Sequence, residues 1–158
     1  MKINSESIKA KAIELGFHKV GIAKAASIQN EKNKLEAWLS DNKHADMAWM
    51  EKRKKERGDI HAYFNNAKSI ISVGLNYNTG YKQKDINSKY KFSNYAWGDD
   101  YHDIVKGKLY KLLKWVKENK VEIKGLVCSD TSPVMDKVWS QRAGIGWLGK
   151  HTKSTTKD

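Results

Sequence analysis

The stretch Ser129–His151 reads SDTSPVMDKVWSQRAGIGWLGKH, and the order of signals within it sets the fold class. An apolar run, Val121–Cys128 (VEIKGLVC), leads into it and reads as a strand. Pro133–Ala143 then reads as a helix with its proline near the first turn. Asp130 falls between the two, at the C-terminal end of the strand, where α/β folds place their ligands. An aspartate there is equally at home as a helix N-cap or in an Asx turn, and by geometry alone the cap comes first. Cys128 lies on the same side of the strand as Asp130 and reads as a buried structural thiol.

The glycines that follow invite two nucleotide readings, and both fail. Gly144, Gly146 and Gly149 spell G-x-G-x-x-G, but that fingerprint needs a strand before it, a helix after it and an acidic residue about 20 positions on. Here a helix comes first and the chain ends nine residues later. Gly144, Gly149 and Lys150 also approach a P-loop, yet the next position must carry a hydroxyl for magnesium and is His151. A glycine-rich loop at a helix C-terminus remains. Its backbone can approach a ligand closely and Lys150 can meet a negative group, although a plain C-cap and tight turn explain the glycines first.

Outward from this segment, strands alternate with helices. Helices are expected over Ser5–Leu15 (ended by Gly16), Asn30–Asn42, Asp46–Arg57 and Tyr101–Asn119. In the last, Ile104, Val105, Leu109, Leu112, Leu113 and Val116 form one stripe, with most lysines outside it. Strands are expected over His18–Ala25 and Ala67–Tyr77, and Thr79–Asp100 reads as a long loop. The class is α/β, as an α+β sandwich: a mixed sheet flanked by helices in one domain over residues 1–158. Lys150–Asp158 (KHTKSTTKD) offers no core residue, so the chain reads as stopping before its architecture does.

Composition bounds the function classes. With 39% hydrophobic residues and six tryptophans among 158, the chain is neither a disordered tail nor a membrane protein. No apolar run approaches the ~20 residues of a membrane span, and the N-terminus lacks a signal-peptide core, so a cytoplasmic location is expected. One cysteine excludes an internal disulfide and any cysteine-only metal or iron–sulfur site. A net charge of +12 points weakly to a polyanionic partner, because lysine-rich genomes give basic surfaces without one.

The other dense spot is Ser93–His102, SNYAWGDDYH. Its tyrosines, tryptophan, aspartates and histidine suit a wall for a flat, polar-edged ligand, or a loop packing its own aromatics. His102 shows no ligand spacing to His18, His44, His61 or His151, so no protein-bound metal is expected. The basic run Lys52–Arg57 can touch phosphates or be a solvated helix end.

In this order the signals resemble the epoxyqueuosine reductase family, which completes queuosine synthesis by removing the epoxide oxygen from the wobble nucleoside of tRNA. The resemblance rests on Glu56-Arg57-Gly58-Asp59, AKSIISVGLNY, Tyr95-Ala96-Trp97-Gly98-Asp99-Asp100-Tyr101-His102, and the segment Asp130–His151. It implies an N-terminal α/β domain, similar to corrinoid-processing and nitroreductase-like domains, that holds cobalamin against a following ferredoxin-like domain with two [4Fe–4S] clusters. Asp130 matches the proton donor to the opening epoxide. Arg57, Tyr95, His102, Gly149, Lys150 and His151 match cobalamin-contacting positions, and the partner implied is the anticodon region of tRNA. The iron–sulfur ligands of the family are missing, so the resemblance implies a chain truncated before that domain and inactive alone. Two other readings stay open: a basic RNA- or partner-binding module that has lost catalysis, and a flavin-binding nitroreductase-like domain. Oligomeric state is not legible.

Overall fold

A computed structural model of the chain describes residues 3–78, 80–85, 87, 89–119, 122–150 and 154–156. These residues fall into two compact units, one made of Met1–Lys19 and Gly74–Ser129, the other of Val20–Val73 and Asp130–Asp158.

In the first unit, α1 (Ser5–Glu14) opens on a capping box. Asn4 Oδ1 accepts from Ser7 N at 2.8 Å, and Asn4 N donates to Ser7 Oγ at 2.9 Å, satisfying two of the helix's orphan donors. The expected stop at Gly16 is present. Its φ of +86° lets Gly16 N reach Ile13 O and Phe17 N reach Ala12 O, a closure only glycine makes without strain. Helix α6 (Tyr101–Asn119) has the predicted bounds and packs on α1. Ala12, Phe17, Leu112 and Val116 are buried, so the apolar stripe read from the sequence does face a core. One lysine of α6 is structural: Lys108 Nζ donates to Leu15 O at 3.0 Å and Gly16 O at 3.2 Å, capping α1 with a cation.

The strand expected at Val121–Cys128 does not form. Val121 lies outside the described residues, and residues 123–128 have no ladder partner among them. Exposure still alternates along 122–127, which is the pattern that reads as a strand. The segment runs against α6 instead, close enough that a Cβ at Gly125 would strike Leu113 Cδ1.

The second unit holds the sheet formed by β1 (Lys19–Lys24) and β2 (Ser69–Gly74). His18 N bonds Gly74 O and Ala25 N bonds Lys68 O, so the strands run antiparallel. The core is Ala23, Ala25, Ile28, Ile60 and Trp139, with Tyr63, Ile70 and Val138 packed against it. Small residues line β1 where the indole of Trp139 fills the space. At Gly21 even a methyl group would run into the Ala143 backbone.

Two helices differ from expectation. Asp46–Arg57 divides into α3 (Ala48–Lys52) and α4 (Lys54–Gly58), after α2 (Gln29–Ser40) and before α5 (Ile60–Tyr63). The break is Arg53, whose ψ of 23° leaves the helical range. Helix α7 spans Asp136–Arg142 and not Pro133–Ala143. Pro133 is buried in the turn before it, where Val134 N bonds Ser132 O.

After α7 the chain makes an unpredicted ladder, β3 (Trp147–Leu148) against β4 (Ser154–Thr155), with Trp147 opposite Thr155. The tail thus carries structure despite its polar composition. The α/β class stands, with the strands of the described residues divided between two two-stranded ladders. No helix among the described residues is long and apolar enough to cross a membrane.

Candidate functional site

The second unit brings Asp130 and Arg57 together through a residue the sequence reading passed over, Asp136. Asp130 opens the turn before α7 with φ +34°, a left-handed conformation that costs a non-glycine residue of order 1 kcal/mol and collects at functional sites. Asp136 begins α7. Its carboxyl is pushed up to about 6, first by desolvation and then by the Asp130 carboxylate, against the pull of Arg57 and Lys137. Asp136 is exposed as a residue, so the crowding is local to its carboxyl. The Asp136 carboxyl thus retains its proton into mildly acidic solution.

Arg57 comes from the last turn of α4. Its guanidinium lies over the Trp49 ring at 5.0 Å, and its Nε is buried without a hydrogen-bond partner. Burial is the main influence lowering its pKa, with Asp136 opposing and Arg53 assisting. Arg53 is itself held by Glu56 at 2.7 Å and lies 5.9 Å from the Tyr63 ring centre.

The glycine loop resolves into separate duties. Gly144, at φ +76°, closes α7: Gly144 N bonds Gln141 O and Ile145 N bonds Ser140 O. This is the helix C-cap that the sequence made the first explanation. Gly146 passes so near Thr155 that a Cβ would meet its backbone oxygen. Gly149 and Lys150 follow β3, with Lys150 exposed. His151 lies outside the described residues.

The first unit carries the aromatic group. Tyr77 meets Tyr95 edge-on at 6.5 Å, Tyr95 meets Tyr101 edge-on at 6.0 Å, and Tyr101 stacks on His102 at 4.0 Å. Tyr77 and Tyr95 are more than half exposed. Asp100 fixes His102 by accepting from its backbone N at 2.8 Å and bonding its Nδ1 at 2.7 Å, both through Oδ1. These two bonds, the backbone one first, hold the Asp100 carboxyl below its ordinary value. An ionised carboxylate only accepts, so Nδ1 of His102 carries the proton. Tyr95 and His102, singled out in the sequence, are therefore linked through Tyr101, which was not. Among the described residues, no three His, Cys, Asp or Glu side chains gather as a metal site would require.

The family model described as "Epoxyqueuosine reductase QueG, DUF1730" matches residues 57–131, a span that starts at Arg57 and includes Tyr95, His102 and Asp130. The epoxyqueuosine reductase of Cellulophaga algicola is 42% identical over 154 residues, covering 98% of this chain and 50% of its own length. That of Atelocyanobacterium thalassa is also 42% identical, with the same coverage. Nearly the whole chain is thus similar to part of an epoxyqueuosine reductase. An epoxyqueuosine reductase solved with an epoxyqueuosine-modified tRNA-Tyr stem loop superposes with a TM-score of 0.81 at 26% identity, covering 96% of this chain and 40% of that one. The chain spans about half the length of the curated epoxyqueuosine reductases it matches.

Asp136, Trp49 and Tyr101 were missed for different reasons. Tyr101 was read only as one member of the aromatic cluster and the family motif, and Trp49 as part of the apolar start of a helix. Asp136 had a usable signal, a second carboxylate six residues after Asp130 at the head of a helix, which only the turn through Pro133 makes a neighbour.

The raised Asp136 pKa has a direct consequence. The folded state holds the proton more tightly than the unfolded one, whose carboxyl titrates near 4, so stability is lost as pH rises from about 4 through 6. Asp136→Asn removes this penalty. It is expected to be more stable than the parent at pH 7.5, on the order of 1 kcal/mol after solvent screening, and to show no advantage at pH 4. Thermal melts at pH 4, 5, 6 and 7.5 measure the difference; one that stays constant across them contradicts the assignment.

Proposed function

We propose that residues 1–158 form the cobalamin-holding domain of a tRNA epoxyqueuosine reductase, in which Asp130 delivers a proton to the departing epoxide oxygen. The observation that carries the reading is the left-handed Asp130 turn near Asp136, whose carboxyl is pushed up, and Arg57, whose Nε is buried; the resemblance assigns Asp130 to the acid and Arg57 to the cofactor. The similarity to curated epoxyqueuosine reductases supports the reaction, and the similar enzyme solved with a modified tRNA-Tyr stem loop supports tRNA as substrate. Work on tRNA belongs in the cytoplasm.

The residues suit a corrinoid, a broad apolar disc with an amide-bearing edge. Tyr95 offers an exposed ring, and Asp100 sets the imidazole of His102. Arg57 has a buried, unpartnered Nε, and Lys150 is an exposed cation after Gly149. The family resemblance assigns Tyr95, His102, Arg57, Gly149, Lys150 and His151 to the group. When bound, cobalamin would supply a strongly reducing centre for the loss of the epoxide oxygen.

Removing the oxygen takes in two electrons and two protons and releases water. Asp130 protonates the oxygen as its C–O bond breaks, which stops the alkoxide from closing again. Asp136, whose carboxyl is pushed up to about 6, is the nearby acid that would resupply the proton. The electrons come from outside these residues, from iron–sulfur clusters in the complete family enzymes.

Titration with cob(II)alamin, followed by its visible spectrum, tests the reading. A saturable shift is expected, and Arg57→Ala should weaken it several-fold. No shift alongside FMN binding would replace the corrinoid with a flavin. Salt-sensitive tRNA binding without any corrinoid shift would leave an RNA-binding module that has lost the reaction.

A further inference from the structure

The second unit buries one tryptophan and displays another. Trp139 is 2% exposed in its core, whereas Trp49, on the short helix α3, is 55% exposed. Met47, just before that helix, is exposed as well, so the apolar start of α3 does not serve the core. Single exposed apolar residues need no explanation. Trp49 does, because it is braced from the next helix. The guanidinium of Arg57, in α4, lies over the indole 5.0 Å from the ring centre. Arg57 Nε is buried there without a hydrogen-bond partner, an arrangement that destabilises the fold and that a merely solvated ring does not call for.

The cations around the ring divide into engaged and spare. Arg53 is bonded to Glu56 at 2.7 Å and lies over the Tyr63 ring, and Lys54 pairs with Glu51 at 3.8 Å. Lys52 falls three residues after Trp49 in α3, on the same side of the helix, and is exposed with no ion pair among the described residues. An exposed ring backed by a guanidinium, with a spare ammonium one turn away, matches the two halves of a nucleotide. The ring takes a flat base, with added attraction from the arginine, and the ammonium takes a phosphate. Only an unpaired base offers its face to such a ring; a duplex would use Lys52 and leave the indole idle. The position also fits: Arg57 acts on the Asp136 carboxyl, as Asp130 does, so the braced ring belongs to the surroundings of the acid.

We propose that Trp49 is a stacking platform for one unpaired base of the RNA anticodon loop, with Arg57 bracing the ring and Lys52 meeting an adjacent phosphate. The platform deepens the function proposed above, since it names a residue of this chain that grips the RNA, and rests on it for the identity of that RNA. Arg57 acts on the base only through the indole and is a positioning residue for it.

The test uses the 158-residue chain without corrinoid, three tRNA-Tyr anticodon stem loops with 2-aminopurine at one anticodon position each, and a fully paired RNA duplex of equal length. Stacking on an aromatic ring quenches 2-aminopurine, and the anisotropy of a fluorescein label reads affinity. The parent chain is expected to quench at least one probe. Trp49→Ala should abolish that quenching, weaken stem-loop binding roughly 10-fold, and leave duplex binding within about 2-fold, which also reports that the variant is folded. Trp49→Phe keeps a ring and should recover most of both losses. Lys52→Ala should weaken both RNAs and lower the slope of log K against log salt by roughly 1. A separate cob(II)alamin titration of the parent chain decides the corrinoid reading: a missing spectral shift removes that reading and leaves the quenching result standing. The platform is overturned if Trp49→Ala keeps the quenching and the stem-loop affinity, if Trp49→Phe recovers neither, or if the parent chain quenches none of the three probes.

Discussion

Asp130→Asn is expected to lower epoxyqueuosine turnover by about 100-fold or more while leaving cobalamin affinity unchanged, since a positioned general acid contributes roughly that factor. The assay supplies the chain with cobalamin, an epoxyqueuosine stem loop and titanium(III) citrate as external reductant, and quantifies queuosine by mass spectrometry of the digested RNA. Asparagine is the informative replacement because it adopts the left-handed region nearly as readily as aspartate, so the φ of +34° survives. Its amide preserves shape and hydrogen bonding and lacks the carboxylic proton. Asp130→Ala also removes the proton but adds backbone strain, so a larger loss with alanine measures the turn and not the acid. Asp136→Asn separates the partners: if Asp136 restores the proton, its loss slows turnover less than that of Asp130 and shifts the pH profile. Turnover retained in Asp130→Asn would remove Asp130 from the mechanism.

What the sequence disclosed follows from how local each signal is. Helix α6 was legible end to end, because its stripe is periodic. The stop at Gly16 was legible because a left-handed cap is a local requirement. The strand at 121–128 was misread because alternating burial fits an extended segment packed on a helix as well as one in a sheet, and the ladder partner is not a local property. The pair β3 and β4 was hidden for the same reason, among polar residues that pair by backbone alone. Asp130 and Arg57 could be singled out only by resemblance. The link between them, Asp136, depends on how Pro133 turns the chain before α7, which no periodicity encodes. The aromatic group was visible as composition, but its order through Tyr101 was not.

Trp139→Ala is expected to be the most damaging single core change in the second unit, costing about 3–5 kcal/mol, a large part of the total stability of a domain this size. The indole is 2% exposed and sits in the cluster with Ala23, Ala25, Ile28 and Ile60. Two of those neighbours are alanines, Ala23 on β1 and Ala25 just after it, which have no further atoms to swing into the void, and the strand backbone cannot close on it because Gly21 already abuts Ala143. The cavity therefore stays open, which is the costly outcome of such truncations. The guanidinium of Arg142, 5.6 Å over the ring, loses its aromatic partner, though it keeps its bond to Ser27 O at 2.9 Å. At roughly 2–4 °C per kcal/mol for a chain of this length, the melting temperature should fall by about 10 °C. Trp139→Phe, which keeps an aromatic ring in the same place, should recover at least half of the loss. Differential scanning calorimetry of the two variants decides the point: melting of Trp139→Ala within about 2 °C of the parent would show that the indole does not organise this core. Because α7 begins at Asp136 and carries Trp139 one turn later, the same cavity loosens the helix that presents the proton-retaining carboxyl. Turnover in Trp139→Ala should therefore fall before the protein melts, with the pH profile broadened and not abolished, which is how a support for the site differs from a member of it.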